Sequence, residues 1–342
     1  MGFFGRKRAP SVPHPRKEPR FNGPLTLERL EQIFQDCVDF TKRPVSLGEG
    51  GACTLTLCYL SGMGKMERVS DYVLRPLAQD EALARCGTPR QAMEEMMGGA
   101  LYNLSAAERT TLDEAAFDLV AGWCLLFFPG ESAVLSLFVG TEEKRSISSP
   151  SNETVLKGSR DAFVESLRTN TSIVRRHLKA PELRIREQVV GRQSVTSVDI
   201  LYIEGLTNPH LVEQVAAQLA DIDIDAVLAT GNIEEYIVPA ARTAFPLVQY
   251  TERSDRFCAG LAEGRVGILI DGLPLGYLAP GVLGDFLQAP QDKSESWLLA
   301  SALTLLRYLC MLGTLLLPAL YVAMVTFHQE MIPTRLALSI IA

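Results

Sequence analysis

Short apolar runs closed by glycine turns recur along the chain, and they come in matching pairs. "LCYLSGM" at Leu57–Met63 has a counterpart in "ILYIEGL" at Ile200–Leu206, with Tyr59 and Tyr202 separated by 143 residues. "GWCLLFFPGESAVLSLF" from Gly122 is paired with "GRVGILIDGLPLGYLAP" from Gly264; Gly122 to Gly264 and Gly130 to Gly272 are both 142 residues. Two separate patterns whose offsets agree to within one residue point to an internal duplication. Each half reads as strand, helices, then a hairpin.

The second half is the more legible. Asn208 can cap a helix whose first residue is Pro209. Leu211, Val212, Val215, Ala216 and Leu219 then recur at helical spacing as one buried face. "IDIDAVL" at Ile222–Leu228 alternates acid and aliphatic, the strand period. Asp271-Gly272 between two apolar runs is a hairpin signal. Strands and helices in this order give an α/β fold, two related subdomains with mixed sheets. Polar, proline-broken linkers at 146–153 and 288–296 set the expected bounds at 24–150 and 151–290.

The character then changes. In the expected membrane region, 291–342, Tyr308–Phe327 is a run of twenty uncharged residues. At about 1.5 Å per residue it covers about 30 Å, the thickness of a bilayer's hydrocarbon core. Tyr308, Tyr321, Phe327 and the upstream Trp297 suit interfacial anchors. Pro318 within the run is expected to kink it, a device that neighbouring helices in a bundle can accommodate. A second apolar run, Leu336–Ala342, is too short to cross, as in a truncated product or a fragment of a longer membrane protein.

Composition narrows the function. With 47% hydrophobic and 21% charged residues the chain is globular rather than disordered. The formal charge is −7, yet Arg6, Lys7, Arg8, Arg16, Lys17 and Arg20 against Glu18 make the first twenty residues +5. The remainder is therefore −12, and so acidic a body argues against a nucleic-acid partner. Residues 1–23 read as a basic, solvated tail with no apolar run of the signal-peptide kind. The seven scattered cysteines form no C-x-x-C pair and suit buried thiols in a reducing, cytoplasmic setting.

No catalytic constellation emerges, and no enzyme, cofactor or metal role is expected. His14, His177, His210 and His328 lie far from one another and from cysteines at ligand spacing. "GEGGA" at Gly48–Ala52 precedes its strand, the reverse of a dinucleotide loop, and "SGMGK" at Ser61–Lys65 lacks the Walker spacing. Asp221, Asp223 and Asp225 would start a calcium loop whose sixth position is Ala226 and twelfth Asn232, neither of them suitable.

Several strings carry a resemblance. "LRTNTSIVRRHLKAPELRIREQVVGRQSVTSVDILYIEGLTNP" (Leu167–Pro209), "DIDIDAVLATGNIEEYI", "FPLVQYTERSDR", "LAEGRVGILIDGLP" and "LLPALYVAMVTFHQEMIPT" resemble the A subunits of GerA-type spore germinant receptors. The likeness runs in order from Asn152 to the C-terminus, with "EEKRSI" (Glu142–Ile147) as its main trace in the first half. The family has proline where this chain has Ser254, and it continues through further membrane helices.

The resemblance implies a subunit of a receptor in the spore inner membrane that responds to small nutrients and triggers release of ions and solutes. Its partners would be a transporter-like B subunit, a lipoprotein C subunit and further copies of itself, as an oligomeric channel with the α/β subdomains on the cytoplasmic side. A truncated scaffold or regulatory subunit, or a two-lobed small-molecule-binding module, are the alternatives. "QYTERSDR" crowds Glu252, Arg253, Asp255 and Arg256 beside Tyr250; charges mixed this densely suit inter-subunit or inter-domain ion pairs, or an exposed, solvated loop. Arg168, Arg175 and Arg176 form a basic helix face that could meet acids, lipid headgroups or solvent.

Overall fold

The computed structural model describes residues 20–47, 54–64, 66–84, 86, 88–100, 105–140, 161–226, 247–287 and 296–327. The basic tail up to residue 19, Gly48–Ala52, the 146–153 linker, most of the 288–296 linker, His328 and the Leu336–Ala342 run lie outside them.

Two five-stranded sheets dominate. The first comprises β1 (Phe40–Ser46), β2 (Thr54–Leu60), β3 (Ala106–Arg109), β4 (Trp123–Phe127) and β5 (Val134–Phe138) in the order β1-β2-β4-β5-β3. The second comprises β6 (Leu183–Val190), β7 (Thr196–Ile203), β8 (Gln249–Thr251), β9 (Val266–Ile270) and β10 (Gly276–Ala279) in the order β6-β7-β9-β10-β8. Strand for strand, the second order repeats the first.

The register repeats as well. Thr56, Leu57 and Cys58 of β2 face Phe127, Leu126 and Leu125 of β4. Adding the offsets 143 and 142 gives Asp199, Ile200 and Leu201 facing Leu269, Ile268 and Gly267, which are the observed partners in β7 and β9. A one-residue slip would turn every side chain to the other face, so shared register means shared core architecture. Gly122 and Gly264 enter their strands at the same φ of +88°, where a side chain would be strained and would meet the Met63 and Leu206 carbonyl oxygens, each at 3.2 Å.

Every pair between these strands is antiparallel. The expectation of mixed sheets is corrected on this point: burial periodicity reveals which face a strand shows, not which way its neighbour runs. Helices cover both faces of each sheet, so the central strands are buried on both sides; all five residues of β9 are buried. In the first subdomain, α1 (Leu27–Ile33) and α6 (Leu112–Val120) cover one face. Short helices α2 (Met66–Val69), α3 (Arg75–Gln79), α4 (Glu81–Ala84) and α5 (Pro89–Glu95), with π-helical turns at Ser70–Leu74 and Met96–Ala100, supply the other.

In the second subdomain α7 (Leu167–His177) and α9 (Ser254–Ala262) pack Leu167, Val174, Phe257 and Leu261 on one face. The opposite face takes α8 (Pro209–Ala220), through Val212, Val215, Ala216 and Leu219. Helix α9 is displaced from α6 by 142 residues at both ends. Asn208 caps α8, its side chain accepting from the His210 N–H at 3.0 Å, and Pro209 holds the first position. The expected strand at Ile222–Leu228 does not form in its described part, 222–226. Its carbonyls instead serve the β6–β7 turn: Arg192 N–H donates to Ile224 and Gln193 N–H to Asp225.

Both sheets belong to one compact unit that ends at Pro280, and a second begins at Gly281. The second unit contains α10 (Leu283–Leu287) and α11 (Trp297–Phe327), a 31-residue helix that contains the whole Tyr308–Phe327 run and continues through Pro318. No residue of α11 is buried.

Candidate functional site: the α7 arginines and the Gln249–Arg256 stretch

Helix α7 carries its arginines to three different fates. Arg175, near its C-terminal end, is 1% exposed and reaches out of its own subdomain. Its guanidinium makes a bidentate bond to Asp39, at 2.9 and 3.0 Å, and also donates to the Leu183 carbonyl at 2.9 Å and to the Cys37 Sγ at 3.4 Å. Asp39 is itself buried. Nearby, Val38 N–H donates to the Ile185 carbonyl at 2.9 Å, Cys37 forms a parallel bridge with Ile185, and Arg184 bonds the Ile33 carbonyl and Glu204. The segment between α1 and β1 is thus stitched to the outer edge of β6.

Seven residues earlier on α7, Arg168 is half exposed and links two cross-strand neighbours, Glu187 at 2.7 Å and Asp199 at 3.4 Å. Arg176 is exposed, with its Nε donating to the Ser172 carbonyl at 3.3 Å. Of the outcomes read from the sequence for this basic face, Arg175 takes the acid, at a buried internal junction with Asp39 rather than in solvent or lipid.

Asp199 is fully buried, and its Oδ1 has no hydrogen-bond partner. Burial drives its carboxyl up to about 7; Arg168 opposes this, while Glu187, Asp39 and Asp271 add to it. Asp271 spends its own Oδ1 on the Leu167 N–H at the start of α7, 3.0 Å away.

The Gln249–Arg256 stretch is not a loop. It begins in β8, passes through a bridge between Arg253 and Ala162, and becomes the first turn of α9. Arg253 is 5% exposed, and its guanidinium holds Asp255 at 3.1 and 2.6 Å, so the exposed ion-pairing role expected of it is corrected. Ser254 takes the first position of α9, where proline would also fit; its hydroxyl donates to the Asp161 carbonyl at 2.9 Å and meets His177 Nε2 at 3.2 Å. Tyr250 points outward, 60% exposed, with Glu252, Asp255 and Arg256 half exposed around it.

Asp39, Arg184 and Asp199 are the groups that sequence reasoning passed over. An acid inside the apolar run "SVDILYI" was a usable signal for Asp199. Nothing local marked Asp39.

A cavity of about 60 Å³ lies under the Ser61–Gly64 turn, lined by Tyr59, Gly62, Gly122 and Trp123. That is room for water rather than for an amino acid or sugar. Among the described residues no cluster of His, Cys, Asp or Glu could hold a metal ion. Burial pushes the Cys58, Cys124 and Cys258 thiols up to about 12, so they are packing groups and not nucleophiles.

Comparison with known proteins adds three findings. Residues 28–342 match the model of the GerA family, described as Bacillus/Clostridium GerA spore germination protein. The uncharacterized membrane protein YfkQ of Bacillus subtilis (strain 168) is 35% identical over 92% of the chain and 60% of its own length. Spore germination protein KA of the same organism is 34% identical over 89% of the chain and 55% of its own length. The chain therefore spans about 55–60% of the length of these relatives. Among solved structures, the N-terminal domain of the A subunit of the Bacillus megaterium spore germinant receptor GerK3 superposes with a TM-score of 0.61 at 26% identity. That match covers 77% of this chain and 99% of that one.

Proposed function

Since the chain belongs to the GerA family of spore germination proteins, we propose that it is the A subunit of a spore germinant receptor, working as a signalling and assembly subunit rather than as an enzyme. The observation that carries this reading is the likeness to the receptor A subunit's N-terminal domain across nearly all of that domain. On this reading α11 anchors the protein in the spore inner membrane, with the subdomains on the cytoplasmic side. Pro318 kinks α11 within a bundle shared with other membrane helices. The partners are a transporter-like B subunit, a lipoprotein C subunit and further copies of the chain, together forming the ion-release complex.

The junction supports a transmitting role over a two-lobed binder. A binder that closes on its ligand needs a hinge between lobes. Here the buried Arg175–Asp39 pair and the Cys37–Ile185 bridge hold the subdomains together. The assembly surface on this reading centres on Tyr250 with Glu252, Asp255 and Arg256, and Arg176 adds an exposed cation.

Purification of the tagged full chain from detergent-solubilised spore membranes tests the proposal. B-type and C-type subunits should co-purify, and the chain should stay with membranes through alkaline carbonate washing. Release into the wash supernatant, or purification free of those subunits, would overturn it.

A further inference from the structure

Helix α10 has only five residues, too few to persist without support. It nevertheless displays apolar surface: Val282, Leu283 and Phe286 are 46%, 50% and 48% exposed. It meets α11 near Arg307 and Tyr308. Arg307 Nη1 donates to the Leu287 carbonyl at 3.1 Å, closing the end of α10. A methyl group added at Gly284 would touch the Tyr308 hydroxyl at 3.5 Å, so Gly284 lies beside that hydroxyl.

Arg307 and Tyr308 mark a boundary in α11. Arg307 is the sole charged residue of the helix, and the uncharged run starts at Tyr308. An arginine at the centre of a bilayer is strongly penalised, whereas one at headgroup depth meets water and phosphate. With Arg307 at headgroup depth, the next twenty residues fill the hydrocarbon core of about 30 Å. A segment bonded to Arg307 and resting on Tyr308 is held at that same depth.

We propose that α10 is an interfacial helix, with Val282, Leu283 and Phe286 seated between headgroups and acyl chains. Its partner is the lipid surface itself. Short apolar helices with a polar side lie in this layer, and Asp285 supplies the polar side here, its Oδ2 accepting from the Val282 N–H at 3.1 Å. Seated so, α10 acts as a float that sets how deeply the span is held. The inference rests on α11 crossing the bilayer, as the proposed function has it.

Tryptophan fluorescence of the full chain in phosphatidylcholine–phosphatidylglycerol vesicles tests it. A Trp297→Phe background leaves the buried Trp123 as a constant signal. Adding Phe286→Trp should give emission that lipids brominated near the headgroup quench by roughly half and that aqueous iodide leaves alone. In a parallel chain, Leu317→Trp, at the middle of the uncharged run, should be quenched by lipids brominated deep in the acyl chain. Failure of that second reporter would remove the span, and the float with it. A quenched Leu317→Trp reporter alongside a Phe286→Trp reporter open to iodide would leave the span standing and overturn the float alone. Strongest quenching of the Phe286→Trp reporter by deep bromines would also overturn it, since α10 would then not be interfacial.

Discussion

Replacing Asp199 by asparagine isolates the effect of one buried carboxyl on stability. Asp199 is completely enclosed, its one ion-pair contact among the described residues is the 3.4 Å approach of Arg168, and its cross-strand neighbour is another acid, Glu187. Its carboxyl is raised from an ordinary 3.8 to about 7, first by burial. Between those values the folded chain holds a proton that the unfolded chain has released. The stability that this proton confers is complete below about pH 4 and is lost as pH rises through 7. At about 1.4 kcal/mol per pH unit, raising the pH from 5 to 8 should cost roughly 2–3 kcal/mol through Asp199 alone. The Asp199→Asn chain, neutral at every pH, lacks this term. Urea unfolding of the unit ending at Pro280, at pH 5, 6, 7 and 8, measures both curves. The wild-type curve should fall below that of the variant by an increasing margin that levels off above pH 7. Parallel curves across this range would show that Asp199 ionises as it does in water, and the argument from its burial would fail.

Removing one partner of the subdomain junction should be severe. Arg175→Met leaves Asp39 as an uncompensated buried charge, at about 3–5 kcal/mol, and the double change with Asp39→Leu should recover much of that; a single-variant cost below about 1 kcal/mol in the same unfolding assay would contradict the buried pair. Arg253→Glu should destabilise α9 by about 3 kcal/mol or more, because it sets a second carboxylate against Asp255 in a buried place. Tyr250→Ala, on the exposed side of β8, should stay within about 0.5 kcal/mol of wild type. Equal unfolding midpoints for these last two variants would return Arg253 to the exposed loop.

Much of this molecule is legible without coordinates, because its signals are local. The Asn208-Pro209 cap and the Asp271-Gly272 turn depend only on neighbours in the chain and stand in the structure as read, and the twenty-residue uncharged run lies within one helix. The duplication is legible for a related reason: Gly122 and Gly264 both answer a demand for positive φ, so the repeat survives where identity has faded. Tertiary structure alone decided the rest. "IDIDAVL" has the strand period, but its described carbonyls were claimed by the β6–β7 turn. Strand direction left no mark on burial, so sheets expected to be mixed proved antiparallel. The deepest division concerns charge. Arg175 and Arg176 are adjacent arginines on one helix, yet one is buried against Asp39 and the other faces solvent. Helical periodicity places a side chain on a face of its own helix; what covers that face was settled here by a residue 136 positions away, brought close only when the two subdomains closed on each other.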